Sequence, residues 1–440
     1  MADYLAKRGA NIAPSYAAIA DLPASTQAGD LVFVGGQLGI AVDASTFNTC
    51  DKTDISVPPN WGSAAQQAKI QSSDLEDYDY FGKRVAISGD TVVVGAYGED
   101  AGGSDAGAAY VFTRSGTSWS QQAKLTASDA AAGDYFGTDV DISGDTVVVG
   151  AERQDTGGTY AGAAYVFTRS GTSWSQQAKL QASDRETYDY FGWQVGISGD
   201  TIVAGAYGED TGGAQAGAAY IFTRSGTSWS QQAKLTASDA AAGKYFGHRV
   251  SISGNTVAIG TPELGDGVAD GAVHIFTRSG TSWSQQAKLE ASNAGSNDQF
   301  GDAVSISGDT VVVGAMYEDT GGDNYGSAYV FTRSGTSWSQ QAQLQSSNIG
   351  ASDYFGDGVA ITGDTIIVGA SFEDTGASAA GSAYVFTRSG TSWTEVKQIQ
   401  ASDPSANAYF GESVAIDANG TGVVGQPKYN NGAAYVFVAP

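Results

Sequence analysis

The sequence predicts an all-β chain: a seven-bladed β-propeller of four-stranded antiparallel blades, closed by an N-terminal strand and preceded by a small N-terminal arm. Three observations predict it. The stretch FTRSGTSWSQQAKL at 112–125 returns word for word at 167–180, 222–235 and 276–289, with near copies starting at Phe331 and Phe386. The dipeptide Phe-Gly begins at Phe81, Phe136, Phe191, Phe246, Phe300, Phe355 and Phe410, seven marks spaced by 54 or 55 residues, and a fixed period outranks any count of domains from length. The two ends of the periodic region are incomplete in complementary ways. The seventh unit stops at Val438 without a fourth strand, whereas WGSAAQQAKI at 61–70 reads as a fourth strand with no first three before it. Pairing the two removes an open sheet edge.

In chain order, residues 1–60 form the arm and 61–440 the ring. Within the arm, GDLVFVGGQLGIAVD reads as a hairpin with strands at 31–34 and 38–42 about a Gly-Gly turn. The rest is Ala-rich, and ASTFNTCDKTDISVPPN leads to Trp61. So small an apolar set is not expected to fold alone, so the arm is expected to anchor on other subunits of an assembly. The start carries no apolar segment of a secretory signal, and no run is long enough to span a bilayer. The single cysteine, Cys50, permits no internal disulfide and no cysteine-based zinc site.

Within the first unit, FGKRVAIS is the innermost strand and GD a tight turn. TVVVGA follows as a strand buried on both faces, and YGEDAGGSDAG as a polar loop. AAYVFTR is the third strand, SGT a turn, and SWSQQAKL the fourth strand, with Trp119, Gln121, Ala123 and Leu125 expected on one face. One such sheet cannot bury two apolar faces, so the copies must stack radially. On the innermost strand Phe81, Val85 and Ile87 oppose Gly82, Ala86 and Ser88, large against small, which suits blades packed face to face.

Phe-Gly followed about fourteen residues later by Gly-Ala, as in FGKRVAISGDTVVVGA, resembles the FG-GAP repeat. That repeat is the unit of the integrin α-subunit propeller, and the resemblance is closest to its bacterial and viral relatives. It covers 61–438 and implies a seven-bladed ring closed by its N-terminal strand, with a role in interaction rather than catalysis. The proline of the family name survives only in Pro262 and Pro427. The integrin calcium loop is absent; the turn at its place is SGD, so those calcium sites do not carry over.

In a meander the connections alternate between two faces of the disc. The SGDT and TRSGTS turns share one face, where Arg114, Arg169, Arg224, Arg278, Arg333 and Arg388 offset turn acids. The long loops and blade connectors share the other and make it acidic. Glu99, Asp100, Glu209 and Asp210 from loops, with Asp129 and Asp134 from connectors, are weak candidates for a Ca²⁺ site, which takes six to eight oxygens, although no loop has alternating ligand spacing. The plainer reading is that these acids solvate long loops and discourage ring stacking. Apart from a calcium ion, no cofactor is expected.

The residue two places after each Phe differs between blades: Lys83, Thr138, Trp193, His248, Asp302, Asp357 and Glu412. At the inner rim of the acidic face, Lys83, Trp193, His248, Asp302, Asp357 and Glu412 form a candidate ring for a glycan or a peptide. A drifted, solvated rim accounts for the same variation. No catalytic residue is nominated. SGTSW resembles part of the sialidase Asp-box, but Arg114 and its copies replace the Asp, and the box is structural there. His274 sits in a strand and reads as packed.

The net charge of −25 argues against nucleic acid or an anionic membrane as partner. The expected function is a non-enzymatic structural or binding protein, foremost a virion-surface protein of a phage tail or capsid. Its arm would attach to other virion subunits, and its ring would decorate the particle or adhere to a host-surface glycan or protein. A cellular adhesin or glycan-binding propeller, exported outside the classical route, is the alternative; a propeller hydrolase or lyase is a minor one. The expected location is a virion surface or extracellular.

Overall fold

The computed structural model describes residues 59–262, 271–295, 297–348, 350–428 and 432–440, with the strands Leu31–Val34, Gln37–Asp43 and Thr46–Thr49 of the arm. The chain divides into two units, Met1–Pro59 and Asn60–Pro440. In the first, the three strands make one antiparallel sheet in chain order. The expected hairpin is there with a third strand, TFNT, that carries too little alternation to be read beforehand. The Gly-Gly turn, Cys50 and the rest of the proposed anchor lie outside the described residues. Among the described residues no helix is long and apolar enough to cross a membrane.

The second unit is seven four-stranded sheets. Blade 1 runs outward as Arg84–Ser88, Thr91–Ala96, Ala108–Ser115 and Ser118–Leu125, termed here the inner, second, third and outer strands. Blades 2 to 6 repeat this order. Blade 7 takes Val414–Ile416, Thr421–Gln426 and Ala433–Val438, and its outer strand is Ala65–Ile70 from the start of the unit. There Val438 lies opposite Ala65 and Ala434 opposite Ile70.

The core lies between blades. All six residues of each TVVVGA-type second strand of blades 1 and 2 are buried, as their two apolar faces require. Val93 and Val111 of blade 1 pack with Phe136, Val147, Val149 and Tyr165 of blade 2. Each Phe-Gly phenylalanine meets two aromatic neighbours, nearly all edge-on, as Phe81 does Tyr110 at 5.6 Å and Phe112 at 6.0 Å. In blade 4, His274 takes the tyrosine's place against Phe246 and is buried.

The two signature glycines bring neighbouring backbones together. Gly137 has φ of +93°, and a Cβ there would stand 2.3 Å from the Ala108 carbonyl oxygen of blade 1. Gly95 faces the other way, its Cβ position 2.3 Å from the Gly137 carbonyl oxygen. Inner strands start after the Phe-Gly pair in five blades, and at the phenylalanine in blades 2 and 6, at Phe136 and Phe355.

Two expectations about outer strands are corrected. First, Trp119, Gln121, Ala123 and Leu125 do not share a face. Gln121 pairs with Phe112 and Ala123 with Val111, so Gln122 is an extra residue, and a bulge swaps the faces on either side of it. Trp119 therefore packs toward blade 7, and Ala123 and Leu125 toward blade 2. Second, the outer strand of blade 7 starts at Ala65 and not at Trp61, so Trp61 is not the counterpart of Trp119. Ala64 holds that tryptophan's register position, and Trp61 sits in a short 3₁₀ turn, Trp61–Ser63, with its buried ring filling the space that a side chain at Gly422 would take.

The bulge explains the verbatim repeat. Each outer-strand tryptophan donates its indole N–H to the bulge glutamine of the preceding blade: Trp119 to Gln67, Trp174 to Gln122, Trp229 to Gln177, all at 2.8 Å. The other glutamine accepts the amide N–H of a serine in the connector before its own blade, Gln121 from Ser73 and Gln176 from Ser128 at 2.9 Å. The arginine stacks over the tryptophan of its blade and donates to a threonine of the preceding blade, Arg169 to Thr91 at 2.9 Å. Where blade 7 lacks this tryptophan, blade 6 carries Val396 in place of the glutamine, and Trp61 packs in the same cluster.

Gly137→Ala is expected to lower stability by at least about 2 kcal/mol, since both positive φ and a backbone clash oppose it; a denaturant midpoint equal to the parent's would refute this contact. A chain starting at residue 60 is expected to unfold in one cooperative transition. A chain starting at residue 71 should melt at markedly lower temperature or aggregate, and coincident melting curves would rule out closure by the 65–70 strand.

Candidate binding site at the channel mouth

The long loops and the connectors open on the face where the inner strands begin. Their acids are largely engaged by the fold. Lys124 reaches Asp74 at 2.7 Å and Glu99 at 2.6 Å, Lys179 reaches Asp129 at 2.7 Å, and Lys234 reaches Asp184 at 2.7 Å and Glu209 at 2.8 Å. Asp100 and Asp210 close their loops by accepting the amide N–H groups of Asp105 and Gln215, at 2.8 and 2.7 Å. Asp134 accepts the Ala131 amide at 2.9 Å. The six calcium candidates are thus spent on lysines, a tyrosine hydroxyl and loop amides. Among the described residues, no group of three or more His, Cys, Asp or Glu is arranged to hold a metal ion. Burial works to raise the Asp129 carboxyl, but bonds from Lys179 and Tyr165 outweigh it and hold the group below the usual carboxylate range.

The six ring candidates converge at the channel mouth, but most face one another. Lys83 and Glu412 form an ion pair across the closing seam. His248 Nδ1 lies 3.1 Å from Asp302 Oδ1, without the alignment of a hydrogen bond, and Arg249 Nη2 lies 3.4 Å from the same oxygen. Burial and the adjacent Arg249 push His248 below its ordinary range. Asp357 accepts the Ser371 hydroxyl, and burial with the nearby Glu412 raises its carboxyl. Trp193 alone turns an aromatic surface to open space, with its ring 5.4 Å from that of His248.

Below the mouth the inner strands enclose a narrow channel of about 220 Å³. Its polar side chains stitch one inner strand to the next. Asp139 accepts the Val195 amide at 2.8 Å, Asp141 that of Ile197 at 2.7 Å, and Gln194 that of Val250 at 2.8 Å. Ser413 accepts the Val85 amide at 3.1 Å and carries the stitch over the seam. Burial raises Asp139 to about 6 and Asp141 to about 7.

An aromatic crown around the mouth escaped the sequence reading. Tyr80 stacks on Tyr97 at 4.7 Å and Tyr190 on Tyr207 at 5.0 Å. Tyr97 continues to Tyr135 at 5.2 Å, and Tyr207 to Trp193 at 5.1 Å. Across the ring Tyr354, Phe372 and Tyr409 form a second series, 4.8 and 4.9 Å apart. A signal was present: six of the seven Phe-Gly marks follow a tyrosine. Those tyrosines hold φ between 53° and 58°, in the left-handed region that few non-glycine residues adopt. Between blades 1 and 3 the crown borders a cavity of about 620 Å³, lined by Tyr80, Tyr97, Tyr135, Thr138 and Trp193 among others.

A carboxyl raised in the folded state binds its proton more tightly there than in the unfolded chain. The contribution of Asp139 and Asp141 is thus fully present below their ordinary value of 3.8 and is lost as pH rises through 6 and 7. The lysine-bound Asp74, Asp129 and Asp184 act oppositely, and their contribution is lost as pH falls below the ordinary carboxylate range. The melting temperature is therefore expected to be higher at pH 5 than at pH 8, and a flat profile over that interval would contradict the burial of these groups.

A family model described as FG-GAP repeat matches seven times, at residues 64–112, 119–167, 174–222, 229–276, 283–331, 338–386 and 393–437. Each match runs from the outer strand of one blade to the third strand of the next, so the repeat contains a seam rather than a blade. Among solved structures, a chain of "Crystal Structure of Mitotic Checkpoint Complex" aligns with a TM-score of 0.52 at 12% identity, covering 89% of this chain and 99% of that one. That likeness concerns the fold alone. A comparison with curated proteins finds no match.

Proposed function

The chain belongs to the FG-GAP repeat family, and from that premise we propose that it is a non-enzymatic binding module that recognises its partner at the channel mouth. The observation that carries the reading is the contrast between the two faces. On the turn face the blades present nearly the same short turns, with charges paired, as in Arg114–Asp90 at 2.6 Å and Arg224–Asp200 at 2.5 Å. On the mouth face each blade differs, and aromatic rings border open space. Specific recognition needs such asymmetry, and a concave, aromatic-lined cavity with a few polar groups is the usual form of a ligand site. Both histidines are built into packing, His274 against Phe246 and His248 against Trp193, which favours binding over acid–base chemistry.

Display on a surface, with the mouth outward, is the setting we propose, on a virion or, as the alternative, on a cell. The net charge of −25 supports a partner that is not a polyanion. The test is to probe the full chain against immobilised glycans and peptides. Trp193→Ala with Tyr135→Ala is expected to abolish the capture seen with the parent, whereas Arg224→Ala on the opposite face should leave it intact. Capture that survives the double variant would refute a mouth-facing site.

A further inference from the structure

We propose that the cavity between blades 1 and 3 is a carbohydrate subsite, in which a pyranose ring lies against Tyr135 and Trp193 and its hydroxyls bond to Glu152. This deepens the reading above and rests on it.

Blade 2 departs from its neighbours in two linked places. After the Gly-Ala of the second strand, blades 1 and 3 continue Tyr97-Gly98 and Tyr207-Gly208, whereas blade 2 continues Glu152-Arg153. The glycine is needed where the connector crosses closely: a Cβ at Gly98 would stand 2.1 Å from the Tyr78 carbonyl oxygen. In blade 2 the connector has Gly133 where blades 1 and 3 have Tyr78 and Tyr188, so the large residue has moved from connector to loop. Arg153 uses that room to lie over Tyr135, 4.0 Å from its ring centre. The missing tyrosine leaves Glu152 at the cavity wall.

Glu152 is only 3% exposed, and its Oε2 has no hydrogen-bond partner. The Nε of Arg153, 3.5 Å from Glu152 Oε1 as an ion pair, and the indole Nε1 of Trp193 are also buried without a hydrogen bond. All six outer-strand tryptophans have a glutamine for their indole, whereas Trp193 at the inner rim has none. Buried polar groups are normally paired, and leaving one unpaired costs about 1–3 kcal/mol. One acceptor and two donors without hydrogen bonds, all at one cavity, call for a ligand that both donates and accepts from adjacent atoms. A hydroxyl does both. The aromatic walls supply flat apolar faces for the C–H side of a sugar ring. Lys83, Arg84 and Arg153 at the same walls disfavour a cation, and Asp105 with the buried Glu152 disfavours an anion. A neutral, hydroxyl-rich ring satisfies both conditions, and the cavity volume of about 620 Å³ lies within the range of ligand pockets.

The test uses the full chain and a panel of galactose, glucose, mannose and N-acetylglucosamine with their β-linked disaccharides, read by saturation-transfer NMR and titration calorimetry. At least one neutral pyranose is expected to bind, with saturation concentrated on one C–H face. Glu152→Gln, nearly isosteric, should weaken it about tenfold, since one carboxyl acceptor oxygen becomes an amide donor and one hydrogen bond is lost. Trp193→Phe should keep the stacking face and weaken binding less, by loss of the indole donor. Glu373→Gln in blade 6 should change nothing, and unchanged melting temperatures would confirm that the variants fold. Sugar binding indifferent to Glu152→Gln would overturn the site. If no sugar binds but a peptide library is captured and lost on Trp193→Ala, the carbohydrate assignment fails and the binding module stands. If neither class is captured, both fail.

Discussion

The hydrogen bond from an outer-strand indole to the bulge glutamine of the blade before it is the contact around which the rest of the ring is arranged. Its donor and its acceptor come from adjacent copies of one sentence of sequence, so neither can change without the other changing one blade away. The arginine over each indole and the glutamine that accepts a connector amide obey the same rule. Such coupling holds SWSQQAKL constant in four blades while loops a few residues away diverge. The seventh blade supports this by exception: alanine replaces the tryptophan at residue 64, and the glutamine expected in blade 6 is Val396.

A frame fastened at its perimeter and pressed together at its glycines leaves the mouth free to vary. The backbone contact of Gly137 with the Ala108 carbonyl, and the amide stitches of Asp139, Gln194 and Ser413, set the spacing of the inner strands. What projects above them is not constrained by those contacts. Lys83, Trp193, His248, Asp302, Asp357 and Glu412 differ because the ring needs only that neighbouring charges be matched, as they are in Lys83–Glu412 and Arg249–Asp302. Variation at the mouth then costs little in stability, which is the condition for one scaffold to acquire different ligands.

The period, the blade count and the closing strand were legible in the sequence because each depends on local chemistry: a glycine with positive φ, a two-residue turn, a missing strand. The bulge at Gln122 was not, since an extra residue in one strand shows only against the register of its partner. The short turn at Trp61 was missed for a related reason: a tryptophan near a strand looks like a member of the set until Ala64 is seen at its position. Of the candidate site, the sequence located the ring of residues two places after each phenylalanine but not their partners. Most of those charges face one another, whereas the cavity is bordered, beside Lys83 and Trp193, by Tyr97, Tyr135, Glu152 and Arg153, which the reading of that ring did not include. The exchange of Tyr-Gly for Glu-Arg in blade 2 is visible in the sequence; that Glu152 is buried and unpaired is visible only in three dimensions.

The closing strand also gives the ring a mechanical direction. Residues 60 and 440 meet at one end of the ladder that joins Ala65–Ile70 to Ala433–Val438, where the Asn60 amide donates to the Pro440 carbonyl at 3.0 Å. Tension applied between these two points does not shear the ladder as a whole but loads its bonds one after another, from Ala65 toward Ile70. A force entering the ring within any other blade meets continuous backbone through all four strands. The protein therefore has a latch whose release depends on which end is pulled, and an attachment made at residue 440 would bear on it differently from one made far around the ring.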